Sequence, residues 1–344
     1  MAKRALITGI SGQDGAYLAK LLLDKQYKVY GAVRRTSSSN LHRLEELGIK
    51  DKISLIDFDL MEQGNIIEII RTLKPHEIYN LAAQSFVSAS FKQPIYTGEV
   101  DGIAVTRMLE AIRLFSPETH FYQASTSEMF GKVQAIPQNE ETPFHPRSPY
   151  GVAKLYAHWI VKNYRESYGM FTSCGLLFNH ESPLRGKEFV TRKITLGLAN
   201  IRAGRQQTIE LGNLDAKRDW GFAGDYIQGM WQMLQQPAGD DFVLATNTVF
   251  SVRDFVDCAG KSLDFDIEWD GEGVEEKGID RKTGKPIVTV SKSLFRPAEV
   301  DLLIGDFAKA KMNLSWKPKT NFPGLVSMMT GADYDRVTSD RVFF

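Results

Sequence analysis

The chain has 344 residues, with Lys plus Arg at 42 balanced by Asp plus Glu at 42, and a hydrophobic content of 43%. A formal net charge of zero excludes a general basic field for nucleic acid, so any anion site must be local. There is no uncharged apolar run of about 18 residues, so no membrane span is expected, and the two cysteines, Cys174 and Cys258, lack metal-ligand spacing, so no metal site is expected.

This length suits one large α/β domain with a smaller partner. The N-terminus enters a strand at once, with no separate apolar signal region, and two unpaired thiols suit a reducing compartment. A cytoplasmic setting is therefore expected. Short β-rich runs alternate with helical periods through the first half, the pattern of a parallel sheet with crossover helices. The predicted strands are Arg4–Thr8, Lys28–Val33, Ile53–Asp57, Glu77–Leu81, His120–Ala124 and Thr172–Phe178.

After the first strand comes Thr8-Gly9-Ile10-Ser11-Gly12-Gln13-Asp14-Gly15, with glycines at a G-x-x-G-x-x-G spacing. Glycine permits a tight turn and a close backbone approach to pyrophosphate, and the following helix aims its N–H groups at the phosphates. That helix carries Leu18, Leu21 and Leu22 at the spacing of one buried stripe. The second strand runs into Val33-Arg34-Arg35-Thr36-Ser37. Guanidiniums there suit a 2′-phosphate, where a carboxylate would repel it, so NADP is the expected cofactor. Asp59 and Leu60, beyond the third strand, are placed for the adenine, and Leu81-Ala82-Ala83 keeps the fourth strand's end narrow beside the ribose.

Ser125-Thr126-Ser127-Glu128 follows the fifth strand. A further helix begins near Ser148-Pro149, where serine can cap and proline fits the first turn. Tyr150, Lys154 and Ala157 share one of its faces, so the Lys154 ammonium can stabilise a Tyr150 phenolate beside a nicotinamide. Glu128 adds a carboxylate that simple alcohol oxidation does not need, which suggests oxidation followed by elimination. Beyond Asn179 the regularity weakens. Phe242–Ala245 reads as a late strand, and Glu275 to Lys292 as a loop or hairpin.

The expected architecture is a Rossmann-type doubly wound parallel sheet with a smaller C-terminal α/β substrate domain. Residues 1–178, with returning segments near 217–245 and 296–310, would form the NADP-binding domain. Residues 179–216, 246–295 and 311–344 would form the substrate domain.

These motifs resemble the extended short-chain dehydrogenase/reductase superfamily and, within it, the GDP-mannose 4,6-dehydratases. The resemblance also takes in Asn80-Leu81-Ala82-Ala83-Gln84-Ser85, Phe178-Asn179-His180-Glu181-Ser182-Pro183, Phe189-Val190-Thr191-Arg192-Lys193, Arg218-Asp219-Trp220-Gly221 and Phe295-Arg296-Pro297-Ala298-Glu299-Val300. It covers the chain to about Pro318. Phe222 and Gly224 depart from the histidine and basic residue that many relatives have there.

The resemblance implies loss of water from GDP-D-mannose to give GDP-4-keto-6-deoxy-D-mannose. Tyr150 would be the base on the 4-hydroxyl, Lys154 would hold the nicotinamide ribose, and Thr126 would bond the same oxygen as Tyr150. Glu128 would take the C5 proton and protonate the departing C6 hydroxyl. Ser127 stands where dehydratases of dTDP-glucose carry an aspartate, which turns the reading toward the GDP-mannose branch.

Gly9, Gly12, Gln13, Asp14, Gly15, Arg34, Arg35, Asp59, Leu60, Leu81, Ala83, Ser85, Tyr150, Lys154, His180 and Arg185 would contact the cofactor. Ser85, Thr126, Glu128, Asn179, Val190, Lys193, Arg218, Arg296 and Glu299 would contact the nucleotide sugar. A homo-oligomer, dimer or tetramer, is implied, because in relatives a loop at Arg35–Arg43 reaches a neighbouring subunit. The same chemistry on a GDP-manno-heptose, and a nucleotide-sugar epimerase or reductase, are the alternatives. A nucleotide-sensing binding protein on the same fold would be expected to lack Tyr150 or Lys154.

Overall fold

Strand and helix alternate from Arg4 onward in the computed structural model, which describes residues 2–294, 302–339 and 341. The strands are β1 (Arg4–Thr8), β2 (Lys28–Val33), β3 (Ser54–Asp57), β4 (Glu77–Asn80), β5 (His120–Thr126), β6 (Thr172–Leu177), β7 (Asn179–Glu181), β8 (Ile209–Leu211), β9 (Lys217–Arg218), β10 (Trp220–Phe222), β11 (Asp241–Leu244), β12 (Phe250–Ser251), β13 (Ile267–Asp270), β14 (Lys277–Asp280) and β15 (Lys285–Val290).

Seven of them form one parallel sheet in the order β11-β6-β5-β4-β1-β2-β3. The order reverses between β1 and β4. At such a switch point the connections leave to opposite faces and open a crevice beyond the strands' carboxyl ends.

Both faces are covered over the middle of this sheet, where β1, β4, β6 and β11 are buried almost throughout, whereas the edge strand β3 is mostly exposed. Ala5 and Ile7 of β1 enter one core with Leu18 and Leu22 of the helix Gln13–Asp24. Leu6 enters the other with Ile66, Met108 and Val161. Thus the stripe predicted from leucine spacing is realised at Leu18 and Leu22, while Leu21 packs at its margin.

The fifth strand runs two residues past its expected end, because Ser125 and Thr126 continue the ladder opposite Leu176 and Leu177. The helix after Ser148 spans Pro149–Tyr168, and Ser148 Oγ caps it by accepting from Gly151 N–H at 3.0 Å.

A third core lies apart from the two on the sheet's faces. It gathers Ile194 and Leu198, Phe255, Val288, and Leu325 and Met329. These come from the helices Val190–Arg202, Val252–Ser262 and Phe322–Thr338 and from a four-stranded sheet, β13-β14-β15-β8. The charged stretch from Glu275 to Lys292 is the β14–β15 hairpin of that sheet. Along β14 the residues alternate, with Gly278 and Asp280 buried and Lys277 facing solvent, while β15 starts exposed at Lys285 and turns inward at Ile287 and Val288.

Candidate active site

The crevice is built from its floor up. Gly9 turns the chain after β1 with φ +69°, and a Cβ there would lie 2.8 Å from the Ala82 nitrogen. A Cβ on Gly15 would meet the Gly9 carbonyl oxygen at 2.3 Å. Thr8 Oγ1 accepts from the Leu81 and Ala82 N–H groups at 3.1 Å each and donates to Asn80 Oδ1 at 2.7 Å. The turn after β1 and the segment after β4 are thereby locked edge to edge. The first turn of the Gln13–Asp24 helix opens into the groove they leave. That cradle, which side chains at Gly9 and Gly15 would fill, fits the pyrophosphate of a dinucleotide.

Two adjoining cavities share Gly9, Gly12, Leu81, Ala83 and Ser85. The outer one, about 360 Å³, is lined by Arg34, Asp59, Leu60 and Tyr96 among others. Arg34 Nη1 donates to Tyr96 Oη at 3.1 Å, an aromatic contact that the sequence reading missed. Arg35 is exposed and lines neither cavity, since successive residues leaving a strand point to opposite sides.

The inner cavity, about 490 Å³, brings together Gln13, Asp14, Thr126, Glu128, Tyr150, Lys154, Asn179, His180, Arg185, Val190 and Arg218. Lys193 lines a smaller cavity of about 180 Å³ with Lys187 and Asn200. Arg296 and Glu299 lie outside the described residues.

Residues on β5 and the helix Pro149–Tyr168 supply the reactive groups. Thr126 Oγ1 caps the short turn Ser127–Met129, accepting from Glu128 N–H at 3.3 Å. The turn sends Thr126 and Glu128 into the cavity and Ser127 into the interior, where it is buried. Ser127 therefore exerts no influence through contact with the cavity.

Burial lifts the Glu128 carboxyl above the ordinary carboxylate range, and Arg218 partly offsets this. Burial likewise raises the Tyr150 phenol, as do the charges of Asp101 and Glu128, while a hydrogen bond from Thr126 and the charge of Arg185 work the other way. Lys154 is pulled below the usual amine range by burial. Its Nζ donates to the Ala124 carbonyl at 3.1 Å and stands 5.9 Å from the Tyr150 ring centre, so it acts on the phenol across space rather than by a direct bond.

The far wall comes from the chain after β6. His180 lies between Asp14 Oδ2, at 2.8 Å from Nε2, and the Phe178 carbonyl, at 2.7 Å from Nδ1. Burial opposes its protonation, but Asp14 raises its pKa. Gln13 joins the same wall, donating to the His180 carbonyl at 3.1 Å and accepting from Ser182 Oγ at 2.7 Å. Arg185 stacks 3.5 Å over the Phe189 ring, and Phe189 meets Phe86 edge to face at 6.2 Å across the mouth.

Phe86, Phe189, Tyr96 and Asp101 were not among the candidates read from sequence. An aromatic or a helical aspartate carries no spacing signal of its own. Nor was Arg43, whose guanidinium donates to the Ser11 and Leu184 carbonyls at 3.0 and 2.7 Å and so braces the glycine turn. Among the described residues, no group of three or more His, Cys, Asp or Glu is placed to hold a metal ion, and no helix is long and apolar enough to cross a membrane.

Comparison with solved structures finds the same fold at low identity. UDP-glucose 4-epimerase from Thermotoga maritima superposes with a TM-score of 0.81 at 20% identity, over 98% of this chain and 99% of that one. A dTDP-glucose 4,6-dehydratase from Bacillus anthracis gives 0.80 at 19% identity over 98% of each. Sequence relatives are much nearer. GDP-mannose 4,6-dehydratase of Sinorhizobium fredii is 53% identical over 98% of this chain and 99% of the relative. The human GDP-mannose 4,6 dehydratase is 51% identical over 96% and 91%. The family model described as GDP-mannose 4,6 dehydratase matches residues 6–329, so the chain belongs to that family.

Proposed function

We propose that the chain is an NADP-dependent lyase converting GDP-D-mannose to GDP-4-keto-6-deoxy-D-mannose. The observation that carries this reading is a half-buried carboxylate, Glu128, in the same cavity as the Tyr150–Lys154 pair. An enzyme that only exchanged a hydride would have no use for it.

Tyr150 takes the proton of the 4-hydroxyl as C4 becomes a carbonyl, with Thr126 bonded to the same oxygen. The Lys154 ammonium favours the phenolate that this requires. A nicotinamide dinucleotide held by the turn at residues 9–15 and Lys154 would supply the hydride chemistry, and because C4 is oxidised and C6 reduced the redox change would cancel over each turnover.

The new ketone acidifies C5–H. Glu128 removes that proton and delivers it to the C6 hydroxyl, which leaves as water with the C5–C6 double bond formed. Its raised pKa suits both halves of that exchange. A proton returned to C5 balances the one taken from the 4-hydroxyl, and the net change is the loss of one water.

NADP is preferred to NAD in this reading because Arg34 and the Tyr96 hydroxyl stand at the outer cavity, past the end of β2. The core around the main sheet would serve the cofactor. The third core would support the nucleotide sugar, with Arg218 in the inner cavity and Lys193 in the smaller one. Association through an exposed apolar face belongs to the same reading.

The test is to supply GDP-mannose deuterated at C4 to the purified protein, with NADP and with NAD in turn. Deuterium at C6 of a 4-keto-6-deoxy product, formed faster with NADP, is expected. Label retained at C4 or inverted there without water loss would instead make it an epimerase. A GDP-manno-heptose consumed in preference to the hexose would change the substrate and keep the chemistry.

A further inference from the structure

Asp101 is a carboxylate with 1% exposure that none of the steps above employs. It sits in the π-helical turn Glu99–Ile103, between the helices Pro94–Gly98 and Ala104–Phe115. A π turn shifts the register of side chains within a helix, and such turns concentrate at functional positions. This one packs on the helix that bears Tyr150 and Lys154: a Cβ on Gly102 would come within 3.4 Å of the Ala153 carbonyl oxygen.

One carboxyl oxygen, Oδ1, accepts from the Gln84 N–H at 2.7 Å, in the segment beyond β4 whose Ala83 and Ser85 line both cavities. The other, Oδ2, is buried and has no hydrogen-bond partner. A carboxylate so placed is costly unless a nearby charge answers it.

The groups whose charges act on Asp101, Lys154 or Tyr150 here are Tyr150 and Lys154 themselves from the helix, Glu128 from the turn after β5, Arg185 from beyond β7 and Asp101. Among the described residues, Lys154 is the cation that acts on Asp101, and Asp101 is the charge that acts on Lys154. No direct ion pair joins them, so the coupling is through space between two buried side chains, where charges interact more strongly than in water.

We infer that Asp101 is the counter-charge that keeps Lys154 an ammonium where both are buried, a positioning residue acting through Lys154. Burial lifts Asp101 to about 6, with Lys154 opposing, so Asp101 is ionised at neutral pH. Burial lowers Lys154, and Asp101 opposes that fall. Asp101 also holds the Tyr150 phenol up by repulsion.

Removing the charge therefore moves both titrations the same way. Lys154 loses the influence that favoured its proton, so the alkaline limb of the activity profile moves to lower pH. Tyr150 loses a repelling anion, so the acid limb moves to lower pH as well. Each shift is expected to be about one pH unit or more.

The inference rests on the dehydratase reading and is tested with Asp101→Asn and Asp101→Glu. Asparagine keeps the shape and the acceptor for Gln84 but loses the charge. Glutamate keeps the charge and alters the shape. Profiles of kcat/KM against pH are expected to slide to lower pH in D101N, whereas D101E keeps its limbs in place at reduced height. A second readout needs no turnover: the pH midpoint for reductive methylation of Lys154 in cofactor-free protein, followed by peptide mass, should fall by a similar amount in D101N alone.

Unmoved limbs and an unmoved methylation midpoint in D101N, with D101E the more damaged, would overturn the inference and leave Asp101 a prop for Gln84. Should D101N not fold, D101S supplies the neutral side chain. Absence of turnover in the unaltered protein would count against the dehydratase reading, and the methylation midpoint would still judge Asp101.

Discussion

Thr126 and Glu128 reach the cavity while Ser127, between them, faces the interior, because the strand ends in a tight turn capped by Thr126 itself. In the proposed mechanism one carboxylate therefore serves both the proton at C5 and the hydroxyl at C6. Glu128→Gln removes that capacity while keeping the shape. In a single turnover it is expected still to reduce bound NADP⁺, because Tyr150 and Lys154 are untouched. Formation of the 4-keto-6-deoxy product should fall by roughly 10²–10⁴-fold. Product formation at the native rate, followed by the absorbance of the keto sugar in base, would show that another group does the elimination. The acid and base candidates were legible because tyrosine and lysine at i and i+4 and a glutamate after a strand carry fixed spacing. Asp101, Arg43 and the Phe86–Phe189 contact were not, since each acts through a partner far away in sequence.

Among the elements, the helix Pro149–Tyr168 is the most clearly written in the sequence, with Ser148 as its cap and proline in its first turn. The helix Phe322–Thr338 is the opposite case. Its Asp333 is fully buried, and one carboxylate oxygen accepts from Arg192 Nε at 2.8 Å and Thr195 Oγ1 at 2.6 Å, while the other accepts from Arg336 Nη1 at 2.8 Å. Arg336 continues to Glu46, on the helix His42–Glu46, at 2.9 Å. Arg192 in turn donates to the Pro183 and Arg185 carbonyls at 3.0 and 2.7 Å, so this helix braces the wall that holds Arg185.

Asp333→Asn would remove the carboxylate that Arg192 and Arg336 share, breaking a buried charge network on one side, which costs about 3–5 kcal/mol. A fall in Tm of roughly 5–10 °C is expected by scanning calorimetry. A Tm within a degree of the native value would mean that the network is already neutralised in another way. No pattern along the chain announces this arrangement, because Arg192 and Asp333 lie 141 residues apart and Glu46 and Arg336 lie 290 apart.

For the whole molecule, the same long helix that buries Tyr150 and Lys154 turns Val152, Tyr156 and Trp159 outward. Beside it Ile95, 82% exposed, and Ile103 complete an apolar face around a groove lined also by Pro94 and Pro149. A contiguous face of this kind marks a protein contact, and on our reading a second copy covers it. Changing Ile95 and Val152 together to aspartate should convert the native assembly to monomer in light scattering at micromolar concentration. An unaltered protein that is already monomeric, or a double variant of native mass, would sink the proposal. Because active-site and apolar residues share one helix, the monomer is also expected to turn over more slowly.

The sequence alone specified the alternating sheet, the glycine turn after β1, the capped helix and the four groups that face one another in the cavity. Those features depend on local periodicity, on glycine's freedom at one turn and on side chains a few residues apart. The tertiary structure decided where the residues beside those motifs lie: Arg34 and Tyr96 at the outer cavity and Arg35 outside it, Asp101 buried against the helix of Lys154, Ser127 in the interior. It also decided that the C-terminal helix would brace the cofactor wall. Each of those outcomes depends on which surfaces meet when distant segments pack, and on how burial then shifts the charge of the groups enclosed.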